Sequence, residues 1–286
     1  CEIDVKSLWH ILKKFQINIF HNFNVDFNNY PTLASLAFGI YRVNYLKEDT
    51  IPKISGEIYN NIVKSYTGGS VDVYKPIGKN INRYDVNSLY PSVMAKFPSP
   101  VGNIRLFKGN PYDFMKNPYG IFNVRIQAPL DLQVPILQTR IKTSKSGVRT
   151  ISPIGTWEGW YFSEEIINAM KYGYKIEILW GYLFDKEFIF KDYVEDLYKM
   201  KQESSKDSPM YTISKLLLNS LYGRFGMKPY KENHKILKGE DTITEFYNDN
   251  SIIITDSLEI SPEIELVSYI KRTDNEESLE NINVAI

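Results

Sequence analysis

The sequence predicts an α+β protein. Three observations predict it. Apolar residues recur at helical spacing in residues 4–15 and 215–226, strict alternation marks a strand at residues 122–128, and glycine and proline punctuate the stretches between. With 286 residues, 43% hydrophobic and 14% aromatic, the chain can bury a sizeable core, as one large domain or two small ones. No apolar run approaches the roughly 20 residues needed to span a bilayer, so a soluble protein with no membrane partner is expected. The single cysteine excludes a disulfide within the chain and a thiolate zinc cluster, and the three histidines are too scattered for a histidine-rich metal site. Net charge is zero, which argues against a surface that is basic throughout but leaves room for a local basic groove.

Taken in order, residues 4–15 read as a helix with Leu8, Ile11, Leu12 and Phe15 at i, i+3, i+4 and i+7, and Asp4 placed to cap it. Residues 22–30 are asparagine-rich and read as a loop, 32–41 as a short helix, and 47–56, with Pro52 and Gly56, as a connector. Tyr66-Thr67-Gly68-Gly69 precedes an alternating strand at 70–74. Its glycines let the backbone turn, either simply into that strand or close to a partner. Residues 81–86 continue as a strand that delivers Asp85 near its end, and Phe97-Pro98-Ser99-Pro100 forces an extended path.

In residues 122–128, Phe122, Val124, Ile126 and Ala128 alternate with Asn123, Arg125 and Gln127, giving a strand with one buried face. Residues 140–149 carry Arg140, Lys142, Lys145 and Arg149, a basic hairpin that is either a solvated loop or a nucleic-acid contact. Ser163 caps a helix closed by Gly173, and 174–184 returns as a strand. Residues 188–202 are helical, with Phe190, Val194 and Leu197 on one face, and lead into the lysines Lys199, Lys201 and Lys206. Residues 231–250 read as a charged hairpin or loop, 251–255 and 263–270 as short strands, and 274–280 as a solvated acidic run.

Two stretches carry chemistry. Tyr84-Asp85-Val86-Asn87-Ser88-Leu89-Tyr90-Pro91 sets a carboxylate at the end of an apolar strand, where it can hold Mg²⁺. In the helix from Lys215 to Gly226, Lys215, Asn219 and Tyr222 line one face and Leu217 and Leu221 the opposite one. A lysine there pairs with a phosphate oxygen, a tyrosine packs on a base or sugar, and a metal at the aspartate neutralises a triphosphate.

In this order, the two stretches and Tyr66-Thr67-Gly68-Gly69 resemble motifs of the family B DNA polymerases: D-x-x-S-L-Y-P, K-x-x-x-N-S-x-Y-G and Y-x-G-G. Their form is similar to the protein-primed, phi29-like branch, found in phages and in linear plasmids of fungal and plant mitochondria. The resemblance implies a right-hand polymerase palm and fingers with protein-primed-type insertions, truncated at both ends. It divides the chain into an exonuclease remnant and connector (1–56), a first palm part (57–96), a first insertion (97–185), fingers (186–227), a second insertion (228–268) and the start of a second palm segment (269–286).

The same resemblance implies template-directed nucleotidyl transfer, with a primer hydroxyl attacking the α-phosphate of a deoxynucleoside triphosphate between two Mg²⁺ ions. Asp85 and the Val86 carbonyl would ligate metal, and Tyr90 would lie under the sugar. Lys215 and Lys201 would meet the phosphates, and Asn219 and Tyr222 would frame the nucleotide. Tyr66, Gly68, Gly69, Ser88 and Gly223 would contact DNA, joined by Arg140, Lys142 and Lys145, whose insertion meets the terminal protein in the family. Asp4 would be either a helix cap or an exonuclease metal ligand. A DNA template-primer, deoxynucleotides, a terminal protein and a mitochondrial location are the expected partners and setting.

The family's third motif, Y-x-D-T-D-S, is not found. Thr255-Asp256-Ser257 copies its end, but Ile254 stands in place of the first motif aspartate, so a surface strand is expected there. Cys1 at the start and residues 281–286 at the end, similar to the helix before that motif, lead to the expectation of a piece of a longer protein, inactive by itself. The alternative is a catalytically dead relic that keeps only nucleic-acid or nucleotide binding.

Overall fold

The computed structural model describes residues 2–52, 54–143, 147–226 and 232–272. The chain opens with helix α1 (Glu2–Phe23), then α2 (Leu33–Asn44), α3 (Gly56–Ile62) and α4 (Leu89–Lys96). Strands β1 (Ser99–Lys108), β2 (Gly120–Ala128), β3 (Thr139–Thr143), β4 (Gly147–Ile151) and β5 (Gly155–Phe162) follow. After α5 (Ser163–Lys171) and β6 (Lys175–Glu187) come α6 (Lys191–Glu203) and α7 (Pro209–Phe225). The described chain closes with β7 (Asn233–Lys238), α8 (Glu240–Tyr247), β8 (Ile252–Ser261) and β9 (Ile264–Lys271). The mixed α+β expectation is met.

A helical core gathers the buried faces of α2, α4, α6 and α7 with the end of α1. Ile19, Leu36, Ile40, Met94, Leu197 and Leu217 all lie inside it. α2 starts where the sequence indicates, because Thr32 and Ser35 satisfy each other's backbone N–H groups in a capping box. In α6, Val194 and Leu197 face inward as their spacing predicts, with Phe190 buried just before the helix.

Beside the helical core stands an antiparallel sheet of order β1-β6-β2-β5. β2 alternates as expected. Phe122, Val124 and Ile126 are sealed against α5, while Ile121 packs with Trp160 and Tyr182 on the other side. Arg125 bridges Glu158 on β5 and Glu177 on β6, each at 2.9 Å, so its side of β2 is tied across both neighbouring strands. The basic hairpin is present as the pair β3–β4. Gly173 takes φ +84 after α5, the left-handed turn that favours glycine. The helix itself begins at Ser163, whose hydroxyl accepts the Gly120 N–H rather than capping its own turn.

Several expectations are corrected. Residues 70–74 and 81–86 are not strands. Neither stretch pairs with a described strand, and Val71 and Tyr84 are almost wholly exposed. In the stretch expected as a hairpin or loop, residues 232–250 form β7 and α8, and Phe246 of α8 packs edge-on against Tyr269 of β9 at 5.1 Å. Helix α1 runs well past residue 15, yet Leu8, Ile11 and Leu12 are exposed, and only Ile19 and Phe23 are buried. Asp4 stands inside the first turn of α1 and not at its cap, where its charge still favours the helix dipole. Thr255, Asp256 and Ser257 lie on the exposed part of β8, the surface strand expected of them. The acidic run at 274–280 and residues 281–286 fall outside the described residues.

Candidate nucleotide and nucleic-acid site

The site is organised on α7. Pro209 occupies the first turn, where its missing N–H costs nothing, and Ser208 Oγ accepts the Tyr211 N–H at 3.2 Å. Leu217, Leu218, Leu221 and Phe225 are buried, and the Tyr193 hydroxyl donates to the Leu217 carbonyl at 3.0 Å. That apolar anchoring fixes the rotation of the helix and leaves the opposite stripe outside. On it, Lys215 and Asn219 are exposed and Tyr222 is half-buried.

Helix α4 brings the first motif to this stripe. Met94 anchors α4 in the helical core. The Tyr90 ring stacks on Tyr222, centroids 4.3 Å apart and planes within 10°. Before the helix the chain turns sharply at Ser88, held at φ 51 and ψ 52, a left-handed conformation that strains a residue with a side chain. Ser88 still starts the helix, because its carbonyl accepts the Ser92 N–H at 2.8 Å. Asp85 and Val86 precede this turn, both exposed.

The end of α6 adds a second cation. Lys201 Nζ sits 5.5 Å over the Tyr198 ring and 5.7 Å over Tyr211, which lies one turn before Lys215 on α7. Lys201 and Lys215 therefore flank one helix face although they belong to different helices. Tyr211 was not singled out from the sequence. Its spacing of four before Lys215 was the available signal.

The glycine-rich loop meets the other end of α7. A Cβ built on Gly226 would lie 2.7 Å from the Tyr66 hydroxyl, so the Tyr66 ring abuts the helix terminus. The Tyr66 carbonyl accepts a hydrogen bond from the Arg140 guanidinium. A Cβ on Gly68, Gly69 or Gly223 would meet no atom within 4 Å. Among the described residues nothing requires glycine at these three positions, and all three face open space. Lys142 is exposed on β3 opposite Val148, and Lys145 lies outside the described residues.

The structure thus brings together Tyr90, Tyr222, Lys215, Asn219 and Lys201, and ties Tyr66 to both α7 and Arg140. Asp4 sits fifteen residues along α1 from Ile19, the helix's buried anchor, a separation of about 22 Å. Among the described residues no three histidine, cysteine, aspartate or glutamate side chains are grouped to hold a metal. Asp85 and the Val86 carbonyl are two oxygen donors where a hard divalent cation takes six or more, so they do not by themselves make a metal site.

Comparison with known proteins identifies the family. Residues 1–283 match the family described as DNA polymerase type B, organellar and viral. A probable DNA polymerase of Ascobolus immersus is 48% identical over 256 residues, covering 89% of this chain and 21% of that protein. One from Neurospora intermedia is 48% identical over 248 residues, 84% of this chain and 26% of its own length. The chain therefore spans about a quarter or less of these relatives. Phi29 DNA polymerase in its ternary complex with primer-template DNA and incoming nucleotides shares the fold, with a TM-score of 0.57 at 21% identity over 79% of this chain and 41% of that one.

Proposed function

Because this chain belongs to the organellar and viral type B DNA polymerases, we propose that it forms the nucleotide- and template-binding part of a template-directed DNA polymerase. The observation that carries the reading is the junction of two distant motifs: Tyr90 stacks on Tyr222 beside the exposed Lys215 and Asn219. A triphosphate laid along that stripe meets Lys215 and Lys201 through its oxygens, as compact cations suited to phosphate. The paired tyrosines offer a flat apolar wall to the sugar and base. The template backbone passes the open sides of Gly68, Gly69 and Gly223, where a side chain would stand in its way. Asp85, with the Val86 carbonyl, would supply ligands to bound Mg²⁺, whose chemistry is to neutralise the phosphates and stabilise the charge that develops in transfer.

Protein-primed replication of a linear plasmid or phage-like element is the finer reading. It rests on the form of the motifs and would make a terminal protein a partner of the Arg140 insertion. A mitochondrial setting is proposed on the same resemblance and is tested by fractionating the source cells with an antibody to this chain.

Two outcomes check the proposal. Residues 1–286 are expected to bind primer-template DNA but not to extend the primer, since among the described residues Asp85 belongs to no group of three side chains that could hold a metal. Templated extension by this chain alone would contradict that expectation, and failure to bind DNA at low salt would contradict the proposal itself. Gly223→Ala is expected to raise the stability of the chain by about 0.5–1 kcal/mol, because it removes a glycine from inside a helix. The same methyl group projects into open space beside Tyr222, so affinity for primer-template is expected to fall. A stability curve and a binding titration on one preparation read both signs.

A further inference from the structure

The loop Tyr66-Thr67-Gly68-Gly69 has no regular structure of its own. Its backbone is nevertheless held, and the holding groups come from Gln138, just before β3, and from Arg140 on it. The Gln138 amide, oriented by its neighbours, donates to the Gly68 carbonyl at 3.0 Å and to Thr67 Oγ1 at 3.2 Å. Its oxygen accepts the Ser70 N–H at 3.2 Å. One side chain thus closes three hydrogen bonds along four consecutive loop residues. Two residues on, Arg140 donates to the Tyr66 carbonyl.

Gln138 is itself fixed from behind. The Tyr161 hydroxyl donates to the Gln138 carbonyl at 2.7 Å, and Trp157 Nε1 donates to that hydroxyl at 2.9 Å. Burial pushes the Tyr161 phenol up to about 12, so it remains a donor across the physiological range. Trp157 and Tyr161 stand on β5, at the end of the four-stranded sheet β1-β6-β2-β5. Lys64, Arg140 and Trp160 help line a cleft of about 280 Å³ between this sheet and the loop.

We infer that Gln138 is a positioning residue that clamps the glycine loop to the β1-β6-β2-β5 sheet and so sets the loop's grip on DNA. Its side chain acts through the loop, at two backbone groups and the Thr67 hydroxyl. With Gln138 in place the open sides of Gly68 and Gly69 are presented in one geometry, and the sheet and the loop move together. The DNA part of this inference rests on the proposed function above. The clamp itself does not.

The test uses residues 1–286 with Gln138→Met, which keeps the length of the side chain and removes its hydrogen-bonding groups. Exchange of the Ser70 amide with solvent is expected to accelerate about tenfold, the scale of one or more lost neutral hydrogen bonds. Affinity for a fluorescent primer-template is expected to fall by a similar factor with its salt slope unchanged, because no phosphate contact is removed. Exchange on β2 and β6 should stay as in the parent, which separates a clamp from a general loosening of the sheet. Thr67→Val removes one acceptor from the loop side and is expected to give a smaller change of the same kind, even if the Met variant folds poorly. Unchanged Ser70 exchange in both variants overturns the clamp. Faster exchange with parental DNA affinity overturns the link to DNA. A parent chain that binds no DNA overturns the proposed function and leaves the exchange result to decide the clamp.

Discussion

Lys215→Ala is expected to lower the affinity of the chain for deoxynucleoside triphosphates by about ten- to a hundredfold, the scale of a charge-assisted hydrogen bond to phosphate. Lys215 is exposed on the outer stripe of α7 and makes no part of the helical core, so stability should stay within about 0.5 kcal/mol of the parent. Lys215→Arg should recover part of the affinity, since charge is kept while the geometry changes. Lys201→Ala is expected to cost less. Its ammonium is already engaged over the Tyr198 and Tyr211 rings, and its removal also loosens that packing. Equilibrium titration with a fluorescent nucleotide, run beside a urea unfolding curve, reads both quantities. A Lys215→Ala chain that binds nucleotide as the parent does would remove the main support for a phosphate site on α7.

Leu217→Ala is expected to do the reverse. Leu217 is fully buried two residues from Lys215, on the face of α7 that meets α6 and α2. Truncating it leaves a cavity among side chains that cannot all collapse into it, and a loss of about 2–5 kcal/mol follows. The bond from the Tyr193 hydroxyl goes to the Leu217 carbonyl and survives the substitution, so the loss reports packing and not a broken hydrogen bond. At a temperature where the variant is still folded, nucleotide affinity should lie near that of the parent. Two neighbouring residues with opposite effects, one on binding and one on stability, would show that α7 has a chemical face and a structural face.

Much of this was legible in the sequence because it is local. The period of α7 separates Lys215, Asn219 and Tyr222 from Leu217 and Leu221, and the structure keeps that separation. β2 alternates in the sequence and in its burial. The misreadings have a common physical source. Alternation at 70–74 and the apolar residues at 81–86 suggest strands, but do not say whether a neighbouring strand pairs with them, and none is described. The face of α1 at Leu8, Ile11 and Leu12 is amphipathic in the same way and is likewise left uncovered by the described residues. In residues 231–250 the density of charge hid a short helix whose apolar contact, Phe246 on Tyr269, is visible only across the sheet. Gln138 and the Tyr66–Gly226 contact join residues far apart in sequence, and no local pattern announces them. Ser88 gave no sign of its left-handed turn, since serine is not a residue that the conformation favours.

The measurement that tests the central claim most directly is photo-crosslinking of an azido-deoxyadenosine triphosphate to residues 1–286 on a primer-template, with the adducts mapped by mass spectrometry. The account predicts adducts on the exposed stripe of α7 and on Tyr90, all suppressed by excess unmodified deoxynucleotide. Adducts spread over other surfaces, or adducts that survive competition, would contradict the assignment of the α4–α7 junction as the nucleotide site.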